Sequence, residues 1–124
     1  MILGIGVDIV EVDRIVEKID KNNGFKETVF SDHEIAFCES RKNKDESYAA
    51  RFAAKEAFLK ATGLGLMLGH QLSEIEVVND DGGKPSLHLK GDFKSKSLEN
   101  NWNKIHLSMS HLQHMACAVV IIEQ

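Results

Sequence analysis

The sequence of 124 residues is long enough to remove roughly two-thirds of its unfolded surface from water, which allows one core and excludes a second independent domain. Hydrophobic residues at 43%, charged residues at 27% and a single proline, Pro85, describe a globular chain and exclude disorder. With 15 Lys+Arg against 19 Asp+Glu the formal charge is −4, so nucleic acid and anionic membranes are excluded as general partners, and any anionic ligand must be met by a local patch.

Residues Ile2 to Val10 read as a buried strand interrupted by one acid, Asp8. Val12, Ile15, Val16 and Ile19 then recur at helical spacing, which places Arg14, Lys18 and Lys21 together on another face, beside an acidic stripe of Asp13, Glu17 and Asp20. Asn22-Asn23-Gly24 ends that helix. Ser31 followed by Glu34 is a capping-box pattern for a short helix running to about Cys38, and lysine-rich polar sequence comes next. From about Glu46 to Gly63 the chain is packed with Ala and other helix formers, with Gly63 as the C-cap. Gly63, Gly65 and Gly69 predict a mobile loop. Ile75, Val77, Leu87 and Leu89 predict two strands joined across Asp80-Asp81-Gly82-Gly83. A short polar helix over Asp92 to Asn100 precedes two final strands that turn near His111 to His114. The order is one strand, three helices, then mostly strands. It predicts a single α+β domain over residues 1–124, with the Ala-rich helix packed on a mainly antiparallel sheet.

The longest apolar run, Met115 to Ile122, is far short of the ~20 residues that span a bilayer as a helix. The N-terminus lacks a basic stretch and carries Asp8 where a signal peptide would be apolar, so a cytoplasmic protein is expected. Cys38 and Cys117 lie far apart with no neighbouring cysteine, which predicts two packed free thiols.

Three groups of residues bear chemistry. On the Ala-rich helix, at 100° per residue from Phe52, Glu56 falls at about 40° and Lys60 at about 80°, bordering the apolar face. An i, i+4 ion pair accounts for those two residues alone. Asp8 changes the balance, because a carboxylate inside an apolar strand needs a cation, a donor set or a metal, unless it sits at an exposed strand end. If strand and helix pack together, Asp8 and Glu56 converge as hard oxygen ligands of the kind Mg²⁺ accepts alongside substrate phosphates, with Lys60 facing the same anion. The glycines after the helix would let backbone approach a phosphate, although TGLG also suits a plain C-cap and turn. His106, His111 and His114 fit no standard zinc spacing and read as structural or substrate-contacting. Ser110-His111 lacks the flanking glycines of a hydrolase nucleophile elbow.

GIGVDIVEVDRI, RFAAKEAFLKATGLG, IEVVNDDGGKPSLHLKG and SMSHLQHMACAVVI together resemble the holo-[acyl-carrier-protein] synthases, the small single-domain class of 4′-phosphopantetheinyl transferases, over nearly the whole chain. The resemblance implies transfer of the 4′-phosphopantetheine arm of coenzyme A to a serine of apo acyl carrier protein, a step of fatty acid biosynthesis. It implies Mg²⁺ held by Asp8 and Glu56, and Lys60 steadying the phosphate charge. Arg51, Ser110 and His111 are similar to the family's contacts to coenzyme A phosphates, and Gly63, Gly65 and Pro85 to its loop and adenine-side wall. Arg14, with Lys18, Lys21 and Phe25, is implied as the docking face for the acidic carrier helix. A homotrimer with sites at subunit junctions is implied too, Asp8, Glu56 and Lys60 coming from one subunit and Ser110 and His111 from the next. Two other readings use the same residues: a Mg²⁺-dependent phosphodiester or pyrophosphate hydrolase, and a non-catalytic coenzyme A or nucleotide-binding module.

Overall fold

The computed structural model describes residues 1–64 and 71–124. Strand β1 (Ile2–Glu11) leads into helix α1 (Val12–Asp20), a short helix α2 (Phe25–Val29), α3 (Asp32–Glu39) and the long α4 (Lys44–Thr62). A 3₁₀ turn (Leu72–Glu74) precedes β2 (Ile75–Asn79) and β3 (Pro85–Leu89), followed by α5 (Gly91–Glu99), β4 (Lys104–His111) and β5 (Met115–Glu123). Four helices, not three, thus separate β1 from β2. The extra one, α2, opens at Gly24 in a left-handed conformation (φ 91°), so Asn22-Asn23-Gly24 redirects the chain as well as ending α1.

Among the described residues all strand pairing is antiparallel, in two sheets: one of three strands in the order β1-β5-β4, and the β2-β3 hairpin. Helix α4 lies across the three-stranded sheet on an Ala face; Ala49, Ala53, Ala54 and Ala57 are fully buried. Small residues on both partners bring the backbones unusually close. A methyl group built on Gly6 would sit 1.9 Å from the Ala57 carbonyl oxygen, and one on Gly4 1.8 Å from that of Ala61. The two glycines before Asp8 therefore let α4 rest directly on β1. The helix ends where expected, at Gly63 with φ 72°.

The apolar core runs between α4 and the sheets, through Phe58, Ile75, Val77, Phe93, Val120 and Ile122. A second cluster under α1 to α3 includes Ile15, Phe30, Cys38 and Tyr48. Both cysteines are free, and burial pushes the Cys38 thiol up to about 12. One ion pair is fully buried: Lys55 Nζ lies 2.7 Å from Glu34 Oε1 and also donates to the Leu72 and Ile75 carbonyls. Glu34, having formed the expected capping box with Ser31, accepts the Val77 amide at 2.9 Å. This hub ties α3 and α4 to the start of β2, and every polar atom in it has a partner, as burial of charge requires.

The face of the three-stranded sheet turned away from α4 is open. Ile5, Val7 and Ile9 are 62%, 59% and 65% exposed, with Val119 beside them on β5.

Candidate active site

Alternation along β1 points Gly4, Gly6, Asp8 and Val10 toward α4 and the odd-numbered residues outward. Asp8 therefore faces the helix one step beyond the glycines. Lys60 Nζ meets its Oδ1 at 2.9 Å and the Val7 carbonyl at 3.1 Å. The other carboxylate oxygen, Oδ2, is buried without a hydrogen-bond partner. Glu56 is half-buried, and its pKa is raised first by burial and then by the Asp8 charge, against a lowering pull from Lys60 and Lys18. The expected Glu56–Lys60 pair gives way to a Lys60–Asp8 bridge between helix and strand. Two carboxylates that repel one another, one with an orphaned oxygen, are donors of the kind that could hold a hard cation. Among the described residues no group of three or more His, Cys, Asp or Glu side chains is arranged to hold a metal, so this pair would leave most of an ion's coordination to other ligands.

A second cleft, of about 280 Å³, opens on another side of α4. Arg51, five residues before Glu56 and so about 140° away around the helix, lines it together with Pro85 and His111. Of the residues expected to contact coenzyme A phosphates, Arg51 and His111 thus meet in one cleft, with Pro85 from the expected adenine-side wall beside them. Arg51 is 3% exposed, stacks on Phe37 with 4.2 Å to the ring centroid and donates to Asn79 Oδ1 at 2.5 Å. Its Nε is buried without a partner. Burial lowers its pKa from the ordinary arginine value, and the group stays cationic. His111 Nδ1 is 2.7 Å from Glu46 Oε1. Ser110 does not join it: neighbouring strand residues alternate, so Ser110 lies on the open sheet face, in the row of Cys117 and Ile9. His106 pairs with Glu123 at 2.5 Å, and His114 contributes its backbone carbonyl to Val12; the three histidines do not converge. Gly63 serves as the α4 C-cap, while Gly65 lies outside the described residues, as does the middle of the predicted glycine loop.

On α1, Arg14 is exposed and pairs with Glu11 at 3.5 Å. Lys18 lies one turn from Arg14 on α1, and its ammonium lies 5.8 Å from the Phe25 ring centroid and 5.7 Å from that of Phe52. Phe25 packs edge-on against Phe30 at 6.5 Å. Lys21 follows the last residue of α1 as its C-cap.

Four site residues escaped the sequence reading. Arg41, whose guanidinium lies 5.2 Å from the Phe37 ring centroid, was hidden in polar sequence between helices. Phe37 looked like ordinary core, Glu46 like a first-turn acid and Asn79 like turn chemistry. No periodicity distinguishes any of them.

The profile of the 4′-phosphopantetheinyl transferase superfamily matches residues 4–120, and the chain belongs to that superfamily. Its full-length relatives place it more narrowly. It is 45% identical over 126 residues to the holo-[acyl-carrier-protein] synthase of Cytophaga hutchinsonii, covering 100% of this chain and 99% of that one. To the synthase of Clostridium tetani it is 46% identical over 123 residues, covering 99% and 97%. The crystal structure of the Neisseria meningitidis synthase superposes with a TM-score of 0.91 at 31% identity, over 100% of both chains. The Bacillus anthracis synthase, solved in complex with CoA (3′,5′-ADP), gives 0.80 at 38% identity, over 98% of this chain and 96% of that one.

Proposed function

We propose that the protein transfers the 4′-phosphopantetheine arm of coenzyme A to a serine of apo acyl carrier protein, giving the holo carrier needed for fatty acid biosynthesis and releasing adenosine 3′,5′-bisphosphate. The observation that carries this reading is the buried, unpartnered Oδ2 of Asp8 beside Glu56, with Lys60 bridging strand and helix. Asp8 and Glu56 are the residues that would hold Mg²⁺, and their repulsion is relieved by a cation. A bound Mg²⁺ supplies charge neutralisation on the coenzyme A pyrophosphate.

Lys60 does the remaining electrostatic work there. Of its three N–H donors, Asp8 and the Val7 carbonyl engage two among the described residues, which leaves a third for a phosphoryl oxygen, where charge grows as the leaving phosphate departs. Arg51 and His111 grip the other phosphates of coenzyme A, and Pro85 walls the cleft. Gly63 admits the backbone's close approach, followed by Gly65. Ser110, on the open sheet face, reaches ligand only across a junction between copies. That need is met by the apolar row of Ile5, Val7, Ile9 and Val119, which supports association through this face into the homotrimer that the resemblance implies. Arg14 presents a solvent-facing cation to the acidic carrier, with Lys21, Lys18 and Phe25 around it. The whole chain acts as one transferase domain. No helix among the described residues is long and apolar enough to cross a membrane, in keeping with a cytoplasmic enzyme.

Mass spectrometry of apo acyl carrier protein incubated with the protein, coenzyme A and Mg²⁺ tests the reading. The carrier should gain one phosphopantetheine per chain. A carrier left unmodified where a known synthase modifies it overturns the proposal, and release of pyrophosphate cleavage products without a modified carrier would instead identify a hydrolase.

A further inference from the structure

The Arg51 guanidinium has an unusual partner for a buried cation. Among the described residues no carboxylate pairs with it; the side chain that holds it is an amide, Asn79 Oδ1 at 2.5 Å. The same amide donates through Nδ2 to the Gly83 carbonyl at 3.0 Å. Its two ends cannot exchange, because reversal would set donor against donor at Arg51 and acceptor against acceptor at Gly83. Asn79 therefore locks Arg51 to the β2-β3 turn that leads into Pro85. Phe37 fixes the guanidinium plane from one face, at 4.2 Å, and the cleft opens beside it with Arg41 and His111 on its walls.

We infer that Asn79 is a positioning residue that aims the Arg51 guanidinium at a phosphate group of the ligand while leaving its charge uncancelled. An aspartate in its place would form an ion pair and ease the burial of Arg51. It would also neutralise the one fully buried cation on the cleft. The amide gives up that stabilisation, so the bound phosphate is the group that completes the guanidinium's pairing.

The inference rests on the proposed coenzyme A reading of the cleft, and its test separates the two. Binding of coenzyme A and of adenosine 3′,5′-bisphosphate is measured by calorimetry for wild type, Asn79→Ala, Asn79→Asp and Arg51→Ala, with Tm recorded for each without ligand. Affinity should fall several-fold in Asn79→Ala and about 10-fold or more in Asn79→Asp. Tm should run in a different order, lowest in Asn79→Ala, which loses both hydrogen bonds, and higher in Asn79→Asp, which loses the bond to Gly83 but turns the one to Arg51 into an ion pair. Affinity and Tm falling in the same order would show Asn79 to be merely structural and overturn the inference. So would an Asn79→Asp variant with wild-type affinity alongside an Arg51→Ala variant that binds poorly. Wild-type affinity in Arg51→Ala would remove the ligand from this cleft, overturning the coenzyme A assignment there and the inference with it.

Discussion

Lys60 Nζ stands 2.9 Å from Asp8 Oδ1, a bridge between residues 52 apart in sequence that leaves the second Asp8 oxygen buried and unengaged. The lysine head is largely exposed while the carboxylate is not. Removing the cation should therefore cost little stability, whereas removing the acid should abolish the metal site. Lys60→Ala is expected to lower kcat by about 10²-fold or more with a Tm change of a few degrees. Asp8→Asn and Glu56→Gln should each lower turnover by orders of magnitude and raise the Mg²⁺ concentration needed for half-maximal rate. Glu56→Gln should at the same time raise Tm, since burial and Asp8 both disfavour its charge. Calorimetric Mg²⁺ titration and thermal melts in chelator check these outcomes; unchanged metal dependence in both acid variants would count against the assignment.

Docking is separable from chemistry. Arg14→Glu reverses an exposed charge paired with Glu11, so KM for the carrier should rise about 3- to 10-fold with coenzyme A affinity intact. Added salt should weaken wild-type carrier binding and affect the variant less, because screening shortens the reach of exposed charges to ~8 Å at physiological ionic strength. Steady-state kinetics at two salt concentrations, with each substrate varied in turn, reads this out.

Gly6→Ala should destabilise by about 3 kcal/mol or more, because its methyl meets the Ala57 backbone and neither α4 nor β1 can give way without opening the core. Gly82→Ala is the control: its methyl would meet only Asp80 Oδ1 at 3.5 Å and should change stability by about 0.5 kcal/mol at most. Urea denaturation of both compares them directly. Equal effects would show that the close strand–helix approach carries no energetic weight.

Lys55→Met should cost about 3–5 kcal/mol, since Glu34 would keep a buried charge with only amide donors to satisfy it. Adding Glu34→Gln should recover part of that loss by removing the orphaned charge. A double variant as unstable as the sum of its singles would show that the two side chains are not coupled.

Glu39 sets an acid limb for stability. Hydrogen bonds from Tyr48 and Lys26 hold its carboxyl near 2, against an ordinary 4.5. A depressed acid contributes stability that is present above its unfolded value and lost as pH falls, here between about 4.5 and 2. Tyr48→Phe removes the leading cause, the 2.6 Å bond to Oε2. Its Tm should then decline less steeply than wild type over that window, while the two proteins keep a constant offset above pH 6. Parallel Tm–pH curves would assign the acid limb to other carboxylates.

What the sequence made legible followed local signals. Ser31 and Glu34 announced a cap, Gly63 announced a helix end, and alternation with turn residues marked the β2-β3 hairpin. Asp8 stood out because an acid in an apolar strand requires an explanation. Pairings set by tertiary packing were less visible. Glu56 and Lys60 share a helix face, yet Lys60 reaches β1 because Gly4 and Gly6 bring α4 so near. Ser110 and His111 are adjacent in sequence, and strand alternation sends them to opposite faces. α2 has five residues, too few to display a period. Nothing in the local sequence marks Lys55; the fold, which supplies Glu34 and two carbonyls to it, makes its burial possible.

The central position of β5 governs when this fold can exist during synthesis. It alone bridges β1 and β4, and its backbone pairs with residues made more than a hundred positions earlier, such as Val7 with Val119. On the ribosome β1 thus emerges early with no strand to join, and the Ala face of α4 has only part of its floor until the final strand clears the exit tunnel. Closing so long a loop is slow compared with forming the helices. The Asp8–Lys60 bridge therefore becomes secure only after translation has passed β5, and the nascent chain carries Asp8 and Glu56 well before it has a framework to hold them together.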